Sequence, residues 1–562
     1  MEVNDLANDT HSDITITPLG GVGEIGKNMM LFEMDDEIII IDSGVKFPED
    51  DLLGIDLVIP DFTYVMNNKD KVKGIVLTHG HLDHIGALPY LLKDLDVPVY
   101  GTKLTLGLLQ GNLKEHNLDG KRRLKVVTPG KSYQVGSREV EFIRVNHSIA
   151  DTCALAIHTP EGPIVYASDF KFDQTPIDGE VADFHKLAEL GDSEPGVLAL
   201  FSDSTNAERK GYTLSEKVVG GTIDDIFREN RSRIVVATFA SNIHRVQQIA
   251  DSAMKFNRKI AFTGRSMIEN VKTARELGYL TIPEDVILDI REISNLPDDQ
   301  VVLLTTGSQG EPMAALTRMA RGDHYHINIK QDDTVVISAN AIPGNEKFVG
   351  QTINQLFERG ANVIYEDVSG VHVSGHASQE ELKLMLNLVK PKYFVPTHGE
   401  YRHLHQHAKL AQQVGVPKDN VYIAEGGDVI KFGPEKVEKK NNITAGDVLV
   451  DGLGVGDVGN IVLRDRKMLS EHGILIVVVT IDDKGKIVSG PDIITRGFVY
   501  IRESEKLISD AQQRVREALR ECEENNITEW SKWKSTIKDS LNNYIYSRIH
   551  RKPMIMPIIM EI

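Results

Sequence analysis

Thr78-His79-Gly80-His81-Leu82-Asp83-His84 follows the apolar run Gly74-Ile75-Val76-Leu77 and places four metal-binding side chains within six positions. A buried strand ending there holds His79 and His81 on one side, two residues apart. Asp83 and His84 arrive as the chain turns into Ile85-Gly86-Ala87-Leu88, so they face a second point close by. Two ligand pairs from one cluster suit a dinuclear centre, with ions about 3.5–4 Å apart. Imidazole mixed with carboxylate favours zinc or a similar transition ion over calcium or magnesium.

Working outward, a dinuclear centre needs further ligands, and three candidates close predicted strands. His147 follows 142–146, Asp169 closes 164–168 and His398 closes 393–397. The simplest assignment gives one metal His79, His81 and His147, and the other Asp83, His84 and His398. Asp169 then bridges, its charge offsetting the repulsion of two close cations. Asp42 ends Ile38-Ile39-Ile40-Ile41 and reads as an acceptor orienting a ligand imidazole.

Over the first ~210 residues short β-rich runs alternate with turns and helices. Strands are expected at 14–18, 29–32, 38–42, 74–78, 140–145, 154–158, 164–169 and 197–203. The glycine run 20–26 has the look of a dinucleotide fingerprint. A strand rather than a helix follows it, so a tight turn near the site is expected instead. From about 214 to 370 regular strand–helix units take over, predicting a parallel α/β layer. The strand at 393–397 then resumes the first domain. The glycine-rich stretch 445–459 reads as a linker or loop. Beyond it a small α+β unit is expected, with strands at 473–480, 486–490 and 554–560 and helices at 504–525 and 528–549.

Of 562 residues, 41% are hydrophobic and 26% charged, as in a soluble globular protein of several domains. Only Cys153 and Cys522 are present, which excludes a disulfide framework and points to a reducing cytoplasm. Residues 1–13 are polar and acidic, unlike a signal peptide. The longest apolar run, 474–479, is too short to span a membrane. A net charge of −19 argues against indiscriminate coating of nucleic acid, though not against a locally basic groove. The basic pieces Lys121-Arg122-Arg123, 228–233 and 548–552 read as solvated faces.

His79-x-His81-x-Asp83-His84, with His147, Asp169 and His398, resembles the metallo-β-lactamase fold in its dinuclear-zinc form. Asp203 in Ser202-Asp203-Ser204-Thr205, His376 in Ser374-Gly375-His376-Ala377-Ser378 and His398 in Pro396-Thr397-His398-Gly399-Glu400 are similar to the motifs of β-CASP nucleases. Phe47-Pro48-Glu49-Asp50, Phe170-Lys171-Phe172-Asp173, Thr306 to Pro312 and Gly497-Phe498-Val499-Tyr500 extend the likeness to the bacterial ribonuclease J family. The resemblance implies an α/β architecture: an αββα sandwich (1–213 and 371–443), an inserted β-CASP domain (214–370), a linker (444–460) and a C-terminal α+β oligomerisation domain (461–562).

The resemblance further implies a 5′-to-3′ exoribonuclease that also cleaves internally, in mRNA decay and rRNA maturation. Single-stranded RNA, preferably 5′-monophosphorylated, would be the substrate, with two Zn²⁺ per subunit or Mn²⁺ in their place. Homodimers or homotetramers, or hetero-oligomers with a paralogue, and membership of an RNA-degradation complex are implied too; a membrane role is not. Some paralogues in that family carry a degraded metal motif. This chain keeps every ligand and so resembles the active form.

The chemistry can be argued beside the resemblance. Phosphodiester hydrolysis needs a nucleophile at neutral pH and charge stabilisation, which two zinc ions supply. The leaving 3′-oxygen needs a proton, and His376 is the candidate acid with Asp203 orienting it. The competing reading makes His376 a phosphate hydrogen-bond donor only. Ser374 to Ser378 offers N–H groups and two hydroxyls as an anion nest. By resemblance it holds the RNA 5′-monophosphate or adjacent phosphates. Ser308, Gln309, Asn340, Asn345 and Glu346 are weaker phosphate candidates, and His372 could line the groove. The histidine-rich 401–407 is expected to start a largely solvated helix, with Arg402 near RNA. Two alternatives stay open: a small-molecule metallo-hydrolase of the same fold, and a non-catalytic RNA-binding or scaffolding subunit. No short motif decides RNA against DNA, because the 2′-hydroxyl contact has none.

Overall fold

A computed structural model describes residues 14–562 except 50, 119–122, 311–313, 342–344, 366–369, 434, 483–485, 500–504, 526 and 528. Outside the described residues lie the polar start at 1–13, Asp50, Lys121-Arg122, Glu311-Pro312 and Tyr500. The chain forms two compact units, one running to Phe47 and over Leu57–Val448, the other comprising Pro48–Asp56 and Leu449–Ile562.

In the first unit two sheets lie face to face. One has the strand order Val437–Asn442, Asp428–Phe432, Ile14–Gly20, Met29–Met34, Glu37–Ile41, Val72–Val76, Val99–Gly101 and Leu124–Val126. The other runs Tyr393–Thr397, Ala199–Asp203, Ile164–Tyr166, Cys153–Ile157, Arg138–Arg144 and Lys131–Val135. The four isoleucines of Glu37–Ile41 show why this layering forms. Ile39 and Ile41 join Phe32, Phe142, Tyr166 and Phe201 between the sheets. Ile38 and Ile40 point the other way and pack with Leu88, Leu91 and Leu109 of the covering helices. A strand buried on both faces reads as a continuous apolar run for that reason. Each such side chain contributes roughly 1.5–3 kcal/mol of burial. Outside the second sheet, Val165, Leu200 and Phe394 meet Leu382, Met385 and Leu410 of the helices Gln379–Val389 and Tyr401–Gln413. The layers are therefore αββα.

The α/β block has a five-stranded parallel sheet ordered Lys259–Thr263, Val301–Thr305, Ile234–Ala237, Thr334–Ile337 and Asn362–Ile364. One of its faces has its own core. The other, through Val236, Leu304, Val271 and Ala274, is continuous with the core around Leu104 and Leu109. The inserted block is thus packed into the same unit as the sandwich.

In the second unit, Ile474–Ile481 is the middle strand between Ile487–Arg496 and Met554–Glu561, covered by helices Glu505–Glu524 and Trp530–Ile549. Two expectations need correction here. The stretch 444–460 is not a plain linker, because Asp447–Asp451 and Gly454–Val455 pair as an antiparallel hairpin. A helix, Asn460–His472, follows it where none was expected; it buries no residue fully, so its apolar periodicity is weak. Among the described residues no helix is long and apolar enough to cross a membrane.

Candidate metal centre

Strand ends build the centre. After Val72–Val76 the chain runs through buried Leu77, Thr78 and His79, and residues Leu82–Ile85 make one helical turn that buries His84. Gly44 lies against that turn so closely that a Cβ there would sit 1.5 Å from the Asp83 carbonyl oxygen. Asp42, Ser168 and His398, all just beyond strand ends, have φ of 57°, 57° and 49°. Left-handed backbone at a non-glycine costs roughly 1–3 kcal/mol and gathers at functional sites.

Of three donor clusters among the described residues, two centre on the His79 to His84 turn and the third is Asp169, Asp203, His376 and His398. In the first, His81 Nδ1 lies 3.1 Å from His79 Nε2 and 3.1 Å from His147 Nε2. Asp169 Oδ2 is 3.9 Å and 3.7 Å from those two Nε2 atoms. In the second, Asp83 Oδ2 is 3.2 Å from His398 Nε2 and 3.7 Å from His84 Nε2, with Asp169 Oδ2 3.4 Å from His84 Nε2. Tetrahedral bonds of about 2.0–2.1 Å put neighbouring donors roughly 3.3 Å apart, so each set fits a transition ion. Asp169 Oδ2 belongs to both sets, and its other oxygen is buried without a hydrogen-bond partner.

The remaining ring nitrogens are held in place. His84 Nδ1 donates to Asp42 at 2.8 Å and His147 Nδ1 to the Gly375 carbonyl at 2.7 Å. His398 Nδ1 donates to Thr205 Oγ1 at 2.8 Å, and that hydroxyl donates to Asp203 at 2.7 Å. His79 Nδ1 meets Thr78 Oγ1 at 3.1 Å, and Thr78 in turn donates to Asp42. Each arrangement aims an Nε2 at the cluster.

The two sets differ in charge. Burial, aided by neighbouring imidazoles, pushes His79 and His147 well below the ordinary histidine range. Burial also brings His81 down to about 4, against the pull of Asp83 and Asp169. Burial opposes protonation of His84 as well, yet Asp169, Asp83 and Asp42 together raise it to about 10. His398 is raised too, by Asp169, Asp203 and Asp83 acting against burial. The second set attracts positive charge more strongly than the first.

His376 stands beside both sets. Its Nδ1 is 2.7 Å from Asp203 Oδ2, and its ring stacks on His398 with centroids 5.5 Å apart. Burial disfavours its protonated form, but the Asp203 carboxylate prevails and raises it above the ordinary value. The loop that carries His376 is anchored on itself. Ser374 Oγ accepts from Asn206 at 2.8 Å and from the His376 N–H at 3.2 Å. Ser378 caps helix Gln379–Val389; its N–H donates to Glu381 at 2.9 Å and its hydroxyl pairs with Thr213. Ser378 is thus engaged in helix capping.

A correction concerns 401–407. His403 and His407 are buried, and His407 Nδ1 lies 3.0 Å from Ser204 Oγ. Their i, i+4 spacing puts both on the inner face of the helix beside Leu404 and Ala408. Arg402 is exposed and paired with Glu208 and Glu400. His372 is largely buried, its pKa brought down to about 3 chiefly by that burial. Gln309 Nε2 donates to the Asn340 carbonyl at 2.7 Å, a loop-holding contact. Sequence reading missed Asn28, whose Nδ2 is 3.0 Å from both the Asp83 carbonyl and His84 Nε2. It also missed Thr213, and it gave Thr205 no role although that residue stands in the quoted 202–205 motif.

Four segments of the chain match known families. Residues 22–207 match a model of the metallo-beta-lactamase superfamily and 231–356 that of the ribonuclease J beta-CASP domain. Residues 361–424 match a Zn-dependent metallo-hydrolase RNA specificity domain, and 461–562 the ribonuclease J C-terminal domain. The chain is 48% identical to ribonuclease J2 of Bacillus subtilis over 98% of its own length and 99% of that protein's. It is 44% identical to ribonuclease J 2 of Staphylococcus aureus over 99% and 100%. A solved structure of a protein of unknown function from Enterococcus faecalis V583 aligns with TM-score 0.53 at 17% identity, over 75% of this chain and 100% of that one; it shares the fold.

Proposed function

The chain belongs to the ribonuclease J family, and from that premise we propose that it is a metal-dependent ribonuclease, 5′-to-3′ exonucleolytic with endonuclease activity, serving mRNA decay and rRNA maturation. The observation that carries this reading is Asp169 Oδ2 shared between two donor sets, with the His376–Asp203 pair alongside. Two Zn²⁺, or Mn²⁺ in their place, held by His79, His81, His147, Asp83, His84, His398 and the shared Asp169, would supply charge stabilisation and an ionised water as nucleophile.

The chain's own residues do the rest. As the water oxygen bonds to phosphorus, the P–O3′ bond breaks and its electron pair goes to O3′. His376 delivers the Nε2 proton there while Nδ1–H stays on Asp203, which stabilises the imidazolium beforehand. The intact ligand set supports the catalytic form over a scaffolding subunit. The inserted block supports a polymer substrate over a small molecule, and single-stranded RNA with a 5′-monophosphate is the preferred one.

Oligomers are assigned to the C-terminal unit, as a dimer or tetramer of this chain or with a paralogue. There Ile494, Ile476 and Met556 adjoin in register, as do Val478 and Ile558, and Ile494, Met556, Ile558 and Met560 are exposed. A row of that kind is an interface surface. Two buried free cysteines suit a cytoplasmic location.

The test is degradation of end-labelled RNA by metal-replete protein. Mononucleotides released from the 5′-monophosphate form, and lost with His81→Ala, support the reading. Undiminished cleavage by His81→Ala, or none by the wild type, would end it.

A further inference from the structure

Glu381 is fully buried and lies outside both donor sets, yet its carboxylate gathers three backbone N–H groups from three separate segments. Oε1 accepts from Phe172 at 2.8 Å; Oε2 accepts from Thr213 at 2.6 Å and from Ser378 at 2.9 Å. Each segment leads to the centre. Phe172 stands three residues after Asp169. Thr213 Oγ1 donates to the His376 carbonyl at 2.7 Å, and Ser378 stands two residues after His376. Between Ser374 and Ser378, Gly375 holds His147 through its carbonyl, and a Cβ on Gly375 would come within 2.8 Å of that imidazole. The loop has little room to settle elsewhere.

The Ser378-x-x-Glu381 pair is a capping box of helix Gln379–Val389. An ordinary capping box needs one N–H from the N-cap residue. Here the same carboxylate takes two more, from segments 168 and 209 residues earlier in the chain. A buried carboxylate is costly unless its oxygens are satisfied, and these three donors satisfy it.

We propose that Glu381 is a positioning residue for the reaction: through Ser378, and through Thr213 on the His376 carbonyl, it fixes the ring that protonates the leaving 3′-oxygen. The inference rests on the assignment of His376 as the acid. Glutamine at 381 keeps the size but has one accepting oxygen, so its amide N–H₂ must oppose one or two of the three donors. The loop then shifts, and a displacement of about 1 Å costs on the order of 10²-fold in rate.

The experiment compares wild type, Glu381→Gln, Thr213→Val, His376→Ala and the His376→Ala/Glu381→Gln double variant. Each is assayed on 5′-monophosphorylated RNA and on the same RNA with sulfur replacing the leaving 3′-oxygen, which departs without a proton. Zinc content and thermal unfolding are measured alongside. Glu381→Gln and Thr213→Val should lower kcat on ordinary RNA by on the order of 10- to 100-fold, with KM and zinc content unchanged. The sulfur linkage should be cleaved nearly normally, and Glu381→Gln should add no loss in the His376→Ala background.

Unchanged kcat, equal losses on both linkages, or a loss that multiplies with His376→Ala would each overturn the proposal. If Glu381→Gln does not fold, Thr213→Val decides by the same criteria. If His376→Ala alone keeps full kcat, the acid assignment fails, a result separate from any on Glu381.

Discussion

The two halves of the metal centre share Asp169 but are built differently. The first offers three imidazoles that burial keeps neutral, with His81 brought down to about 4. The second offers Asp83 and two imidazoles held protonated by surrounding carboxylates, His84 up to about 10. A cation entering the first displaces little. A cation entering the second competes with protons, yet finds more negative charge from Asp83, Asp169 and Asp42. The two proposed ions would thus be held on unlike terms, and pH and mutation should separate them.

The comparison breaks most severely at its shared atom. Asp169→Asn removes the charge common to both sets, so zinc content should fall at both and nuclease activity should vanish. Elemental analysis beside an RNA assay checks this, and two retained ions would show that Asp169 does not bridge. A narrower cut is Asp42→Asn, which frees the His84 ring. The second set should lose affinity by about 10–100-fold while the first keeps its ion. Equal weakening of both would erase the distinction.

The smallest effect is on stability with pH. His84 in the metal-free protein is raised from its ordinary value near 6.5 to about 10. The stability this contributes is fully present below about pH 6.5 and is lost as pH rises through about 10. Chelator-treated protein should therefore unfold at lower temperature as pH rises from 7 to 10. Metal-replete protein should not follow that trend, because the cation replaces the proton.

The same contrast explains what was legible in the sequence. The cluster at His79 to His84 stands out because four ligand-type side chains fall within six positions, and His147, Asp169 and His398 do so because each closes an apolar run. Ile39 and Ile41 turning inward while Ile38 and Ile40 turn outward follows from strand alternation alone. Contacts made only when distant segments meet were not legible. Glu381 went unread, since its bonds to Phe172 and Thr213 exist only in the folded chain. His403 and His407 looked solvated because polar side chains mask an inward helix face. The hairpin at Asp447–Asp451 hid behind glycines, and the shared core of the two α/β layers has no sequence boundary to reveal it.

Zinc titration of chelator-stripped protein at neutral pH, read together as bound metal and as nucleotides released from 5′-monophosphorylated RNA, joins the two halves to the activity. Two equivalents should bind in two distinguishable steps, and nucleotide release should begin only with the second. Full activity at one equivalent, or two bound equivalents with no RNA cleavage, would contradict a ribonuclease that works through both halves of this centre.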